Sequence, residues 1–535
     1  GRVLDKLFIF ARMHKDENNA DSVYQALTDR VQALGTEAST ALSFIVPALV
    51  DFPHEKRQSY MEENSDLRIY RHFFEEIDRQ RDHVLPGPEE KLLAETMDLA
   101  DAAGNVFGML DNADIKFPYI TDENGESVEL TKGRFSRFME SKDRRVRQEA
   151  FAALYSTYTK FRNTFGATLN GSVKSDYFYA RVRHFNSALE ASLESDNVPV
   201  NVYGRLIEVI HEYLPVLQDY LKLRKRMLGL GELHMYDLYT PLIPEYQRSF
   251  DYEEAKRLVL EGLKPLSDEY LAQVRQALED RWIDVYENEG KTSGAYSWGA
   301  YDSHPYMLMN YQGKIHDVFT LAHEMGHSMH SYYSNHHQPY VYAGYKIFVA
   351  EVASTVNEAL MMEYLLAHTQ DQQEKQYLLN QYLEQFRTTI FRQTMFAEFE
   401  KLIHDQVEQG GALTADWFSE TYYNLNQLYY GAETVVDQEI AMEWSRIPHF
   451  YSGFYVYKYA TGYAAAVALS QQILREGVTA RERYLQFLRS GDSDYPLNLL
   501  RNAGVDMAEP QPVREALNVF KNLISQLSDL AGVRV

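Results

Sequence analysis

Everything in this chain has to accommodate the run Leu321-Ala322-His323-Glu324-Met325-Gly326-His327-Ser328-Met329-His330, set in a proline-free stretch from about His316 to Ser334. On an α-helix His323 and His327 lie one turn apart on one face, with Glu324 ~100° round from the first. Two imidazoles so placed can grip one cation while the carboxylate addresses its open side, the H-E-x-x-H pattern. Zinc-assisted hydrolysis needs this spacing. A catalytic zinc takes three protein ligands and keeps a fourth position for water, which a neighbouring carboxylate must be able to deprotonate.

Composition narrows the setting. The 535 residues hold no cysteine, so a thiolate metal site, a thiol nucleophile and a disulfide framework are all excluded. Any metal must be held by His, Asp and Glu. With 53 Lys plus Arg against 77 Asp plus Glu, the net charge is −24. A surface of that sign repels phosphate backbones and anionic lipids, which argues against nucleic-acid and membrane roles. No apolar run reads as long enough for a transmembrane helix, and Gly1-Arg2-Val3-Leu4-Asp5 does not read as a signal peptide. The expectation is a cytoplasmic protein. Forty Tyr and 27 Phe suit aromatic packing between helices, and would also suit a peptide-binding cleft.

Along the chain the periodicity is helical almost throughout. A turn-rich stretch near residues 114 to 130, with Asn124-Gly125, predicts a short β-hairpin. It sets a boundary between an N-terminal helical lobe, 1–130, and a catalytic region, 131–535, that holds the metal site. Between 286 and 314 glycines alternate with aromatics, and Tyr306-Met307-Leu308-Met309-Asn310-Tyr311 reads as one strand. A strand just ahead of the metal helix could pair with an extended peptide, or be purely structural. A second helix is expected from roughly Ile347 to Leu366.

The third ligand can be narrowed by spacing. A further His six residues after the second, with Gly at the third, would mark one class; those places hold Tyr333 and His330, which excludes it. His316 and His330 are each seven residues from His323, about 10 Å along a helix axis, and read as packed or hydrogen-bonded histidines. The remaining route is a Glu from the following helix. Glu351 and Glu358 fall on one face of it, set among apolar and small residues where an unpaired carboxylate is costly. One can bind the metal, and the other can accept the free ring N–H of a ligand histidine.

At this point the chain resembles the oligoendopeptidase F group of the thimet oligopeptidase family. The matching residues are Gly294-Ala295-Tyr296, His304-Pro305-Tyr306, Asn310-Tyr311, His316 to His327, Ala350 to Ser354, Arg392 to Glu400, and Ile447 to Tyr451 with Tyr455 to Gly462. The resemblance implies a mainly α, bowl- or clam-shaped zincin-type fold, with a small β-sheet beside the active-site helix and a deep internal channel. It implies a zinc endopeptidase cutting internal bonds of short, unstructured peptides, with one Zn2+ per chain. Glu351 becomes the third ligand beside His323 and His327, Glu358 its neighbour around the site, and Glu324 the base for the zinc-bound water. His449 matches the family's substrate-contacting His, and Tyr455 and Tyr459, one turn apart, are preferred over Tyr457 for the matching tyrosines. A carboxypeptidase on a similar scaffold would need a placed cation for the substrate's C-terminus. A non-catalytic peptide-binding protein would leave the histidines structural.

Overall fold

In the computed structural model, which describes residues 1–243 and 248–534 except for the side chain of Asp98, helices hold 72% of the chain and strands occur only in sheets of two or three. This is a mainly α, zincin-type fold. The residues form two compact units that interleave along the sequence. The first comprises Gly1–Asp82, Gln247–Thr369 and Gly462–Met507, and the second His83–Tyr246, Gln370–Thr461 and Ala508–Val535. The sequence boundary near residue 130 therefore falls inside the second unit. The hairpin expected there forms, Tyr119–Thr121 against Ser127–Glu129, with Gly125 at φ +82° in its turn.

The first unit begins with helices α1 (Arg2–Glu17) and α2 (Ser22–Leu42). The stretch Ser22–Asp51 is 30 residues long and contains an exposed 18-residue window with a mean hydropathy of 1.4, long and apolar enough by length and composition to cross a membrane. That corrects the sequence reading that no apolar run approaches this length. Small residues such as Ala, Ser and Thr disguise the run, and only Glu37 interrupts it with charge between Val31 and Val50.

A three-stranded sheet follows. Strands β1 (Ile283–Tyr286) and β2 (Tyr296–Trp298) flank β3 (Tyr306–Tyr311), β1 parallel to it and β2 antiparallel. Both sides of β3 are thus already paired, through Ile283↔Met307 and Ser297↔Met307, and it has no free edge for a peptide. The peptide-pairing role suggested for residues 306–311 is corrected by this order; β1 and β2 are the edge strands. Ser297 Oγ lies 2.7 Å from Ser328 Oγ, which ties β2 to the helix carrying the histidines.

That helix, α3, runs Ile315–His337. Its first turn is fixed by Asp317, whose Oδ2 accepts the N–H groups of Gln312 and Lys314 at 3.0 and 2.9 Å, an acidic cap at the positive end of the dipole. Val318, Leu321, Ala322, Met325 and Met329 are fully buried and form the stripe that holds it in the core. It packs against α5 (Val352–His368), which follows the single turn α4 (Ile347–Ala350). The one helix expected over 347–366 is broken at Glu351, which belongs to neither piece.

Candidate metal centre

The approach of α3 to α5 is set by a glycine. A Cβ on Gly326 would lie 2.5 Å from Ser354 Cα and 2.6 Å from the Ala353 carbonyl oxygen, so no side chain fits between the helices. Asn357 locks the same contact, donating to the Ala322 carbonyl at 3.0 Å while accepting from Tyr270 at 3.1 Å. The sequence reading used neither residue. A signal for Gly326 was present, since glycine inside a helix costs ~1 kcal/mol relative to Ala and needs a reason.

With the helices this close, three donors converge. His323 Nε2 and His327 Nε2 are 3.2 Å apart, and each is 3.3 Å from Glu351 Oε2. A tetrahedral ion with bonds of ~2.0 Å has ligand-to-ligand edges of roughly 3.3 Å, so the triangle fits zinc in size as well as in donor type. Among the described residues this is the one group of three such side chains positioned to hold a metal. Ser354 steadies Glu351, its Oγ donating to the Glu351 carbonyl at 3.0 Å and to Oε2 at 3.2 Å. Glu351 keeps a side-chain exposure of 53%, so it is not enclosed among apolar residues as its sequence neighbours suggested.

The outward nitrogen of His323, Nδ1, pairs with Glu358 Oε1. This orients the ring and turns Nε2 toward the cluster, where its lone pair would be free for an ion. With no ion between the groups, burial disfavours a charged His323 ring, but the carboxylates of Glu351 and Glu358 outweigh it and raise its pKa to about 10. Hydrogen bonds from His323 and His327 hold Glu351 far below the ordinary carboxylate range. Glu324 is 6% exposed and its Oε2 has no hydrogen-bond partner. Burial pushes its pKa up, against the pull of the two histidines.

The other histidines of α3 stand apart. His330 is buried, stacked on Tyr345 at 3.8 Å, and burial lowers its pKa to about 3, which keeps it neutral. His316 is exposed rather than packed.

The remaining expected site residues form a second group, in the second unit. His449 is exposed, and its ring lies 6.3 Å from that of Tyr455 and 6.0 Å from that of Tyr459, with 5.5 Å between the two tyrosines. Tyr455 and Tyr459 are half-buried, whereas Tyr457 is fully buried and turned into the core.

A mainly α zincin fold with two helix-borne histidines, an intervening glutamate and a third carboxylate donor defines a metallopeptidase. A profile of Peptidase family M3 matches residues 137–519, and one described as Oligopeptidase F matches residues 49–117. The chain is 49% identical to oligopeptidase PepF of Bacillus subtilis over 98% of its own length and 79% of the relative's. Among solved structures, oligoendopeptidase-F from Enterococcus faecium superposes with a TM-score of 0.78 at 39% identity, covering 99% of this chain and 91% of that one. A chain from Chlamydophila abortus superposes with a TM-score of 0.95 at 38% identity, covering 99% and 89%. The chain belongs to peptidase family M3. It is a metallo-endopeptidase, and its substrates are peptides.

Proposed function

We propose that this chain is a zinc-dependent endopeptidase of short oligopeptides, with Glu324 as its proton carrier. The observation that carries the reading is the 3.2–3.3 Å triangle of His323, His327 and Glu351 donors beside a buried carboxyl with a free oxygen. These three residues would hold one Zn2+ per chain. Bound there, zinc would supply Lewis acidity, lowering the pKa of a water toward ~7 and polarising a peptide carbonyl.

The chain's own groups do the rest. Glu358 holds the Nδ1 proton of His323, so that ring cannot turn its lone pair away from the cluster. Glu324 takes the proton of the attacking water on its unpartnered Oε2 and delivers it to the leaving amine nitrogen. We assign His449, Tyr455 and Tyr459 to substrate contact. Imidazole and phenol groups there can donate to peptide carbonyls, an effect worth about 3 kcal/mol where the oxygen gains charge. The support is their match to the family's residues and the clustering of the three rings. The relatives' names, oligopeptidase and oligoendopeptidase F, support short peptides as the substrate class.

The test is a pool of peptides blocked at the C-terminus, digested with and without a chelator and read by mass spectrometry. Internal cleavage is expected, lost on chelation and regained with one equivalent of zinc. Cleavage that persists through chelation overturns the reading.

A further inference from the structure

We propose that Glu400 is a positioning residue for the His449, Tyr455 and Tyr459 cluster, acting through the backbone N–H of Phe454. The inference rests on the assignment of that cluster to substrate contact. Glu400 lies on helix α6 (Arg392–Glu408) and is fully buried. Its Oε1 accepts the Phe454 N–H at 3.1 Å, while Oε2 has no hydrogen-bond partner. Burial pushes the carboxyl well above its ordinary range, with Asp176 adding to the shift and the single amide donor opposing it. The carboxyl offers one oxygen to a single amide.

That amide belongs to a strained residue. Phe454 has φ +59°, a left-handed conformation that costs a non-glycine residue ~1–2 kcal/mol and persists only where the surroundings enforce it. The enforcement is visible on every side. The Phe454 ring sits 4.4 Å from the His404 ring and 5.6 Å edge-on from Tyr203. Ser192 Oγ donates to the Gly453 carbonyl at 3.0 Å, and a Cβ on Gly453 would come within 2.8 Å of Asp176 Oδ2. His404 closes the arrangement, with Nδ1 donating to the Glu400 carbonyl at 2.8 Å and Nε2 at 3.1 Å from Asp176 Oδ2.

The turn so enforced joins His449 to Tyr455. Five residues before Phe454 comes His449, and one residue after it comes Tyr455, whose ring lies nearly parallel to that of His449 at 16°. Without the Glu400 acceptor the strain at Phe454 relaxes toward an ordinary backbone conformation, and Tyr455 turns away from His449. Glu400 touches no substrate itself.

The experiment compares Glu400→Leu with Glu400→Gln, which keeps a carbonyl acceptor, alone and combined with Tyr455→Phe, on the zinc-loaded enzyme. Glu400→Leu is expected to lower kcat tenfold or more with zinc content unchanged, and Glu400→Gln to restore kcat to within about threefold of the parent. On the Tyr455→Phe background Glu400→Leu should add little, because both changes take away the same placed hydroxyl. Wild-type kcat for Glu400→Leu, or losses that simply multiply, overturns the proposal while leaving the substrate-contact assignment intact. Wild-type kcat for each of His449→Ala, Tyr455→Phe and Tyr459→Phe overturns that assignment and this proposal with it. Should Glu400→Leu fail to fold, Gly453→Ala displaces the same turn from its other side and carries the same expectations.

Discussion

Two buried polar clusters, one in each unit, are arranged on opposite principles. In the second unit Glu443, 1% exposed, receives Arg392 and Arg446 at 2.8 Å each, Tyr422 at 2.6 Å and Tyr155 at 3.3 Å. Every charge there meets an opposite charge or a donor. In the first unit His323, His327 and Glu351 bring three metal-ligating atoms to one point, and Glu324 beside His323 in the chain keeps an oxygen unmatched. Burying unmatched polar atoms costs free energy, so such a cluster persists where its counterpart comes from outside the chain. One arrangement holds the fold together, and the other supports the proposed metal site.

Substitutions can pull the two apart. Glu324→Gln should lower turnover by ~10³-fold or more while leaving zinc content and the melting temperature unchanged. Peptide hydrolysis, metal analysis and calorimetry on one preparation check all three, and retained turnover removes Glu324 from its role. Glu443→Ala should do the reverse. It strands two buried guanidinium groups, at a cost of about 3–5 kcal/mol read from urea unfolding, with zinc stoichiometry unaltered.

The same contrast predicts how acid acts on the second unit. Burial opposes the charged form of Glu443 and Glu384, but their arginines win and hold both pKa values at about 2, below the ordinary ~4.3. A depressed folded-state pKa contributes stability that is present above the unfolded value and is lost as pH falls through the folded one. Urea midpoints should therefore decline from about pH 5 toward pH 2, and Glu443→Gln should flatten that decline. An unchanged slope would show that Glu443 is not charged in the fold.

Smaller effects should stay at the metal. Glu358→Gln should weaken zinc affinity by about 10–100-fold, measured by competition with a chromophoric chelator, because it withdraws the carboxylate that orients His323. Ser354→Ala removes a hydroxyl shared between the Glu351 carbonyl and Oε2, worth about 1 kcal/mol, and should weaken affinity by only a few fold.

Much of the first arrangement was legible in the sequence because it is local. A one-turn histidine spacing, an apolar stripe from Val318 to Met329 and a pair of glutamates seven residues apart all follow from helical periodicity. What was hidden depends on pairing between distant segments. Nothing in Ala350-Glu351-Val352 marks a helix break, since no Gly or Pro is present, yet the two helices end and begin on either side of Glu351. Strand order was equally out of reach, because β3 reads like any apolar strand until both neighbours are known. The interleaving of the units is likewise a property of long-range contact. Gly326 stands between these cases, readable as an oddity but explained only by the helix it touches.

The break at Glu351 has a further consequence. Both histidines are stitched into 23 residues of continuous helix, so neither can shift without disturbing a whole core element. Glu351 sits at the joint between two helices, held there by Ser354 and by the two imidazoles rather than by a helical ladder on both sides. The proposed centre therefore draws two of its donors from the middle of a core helix and the third from a junction, an anchorage that is unequal by construction.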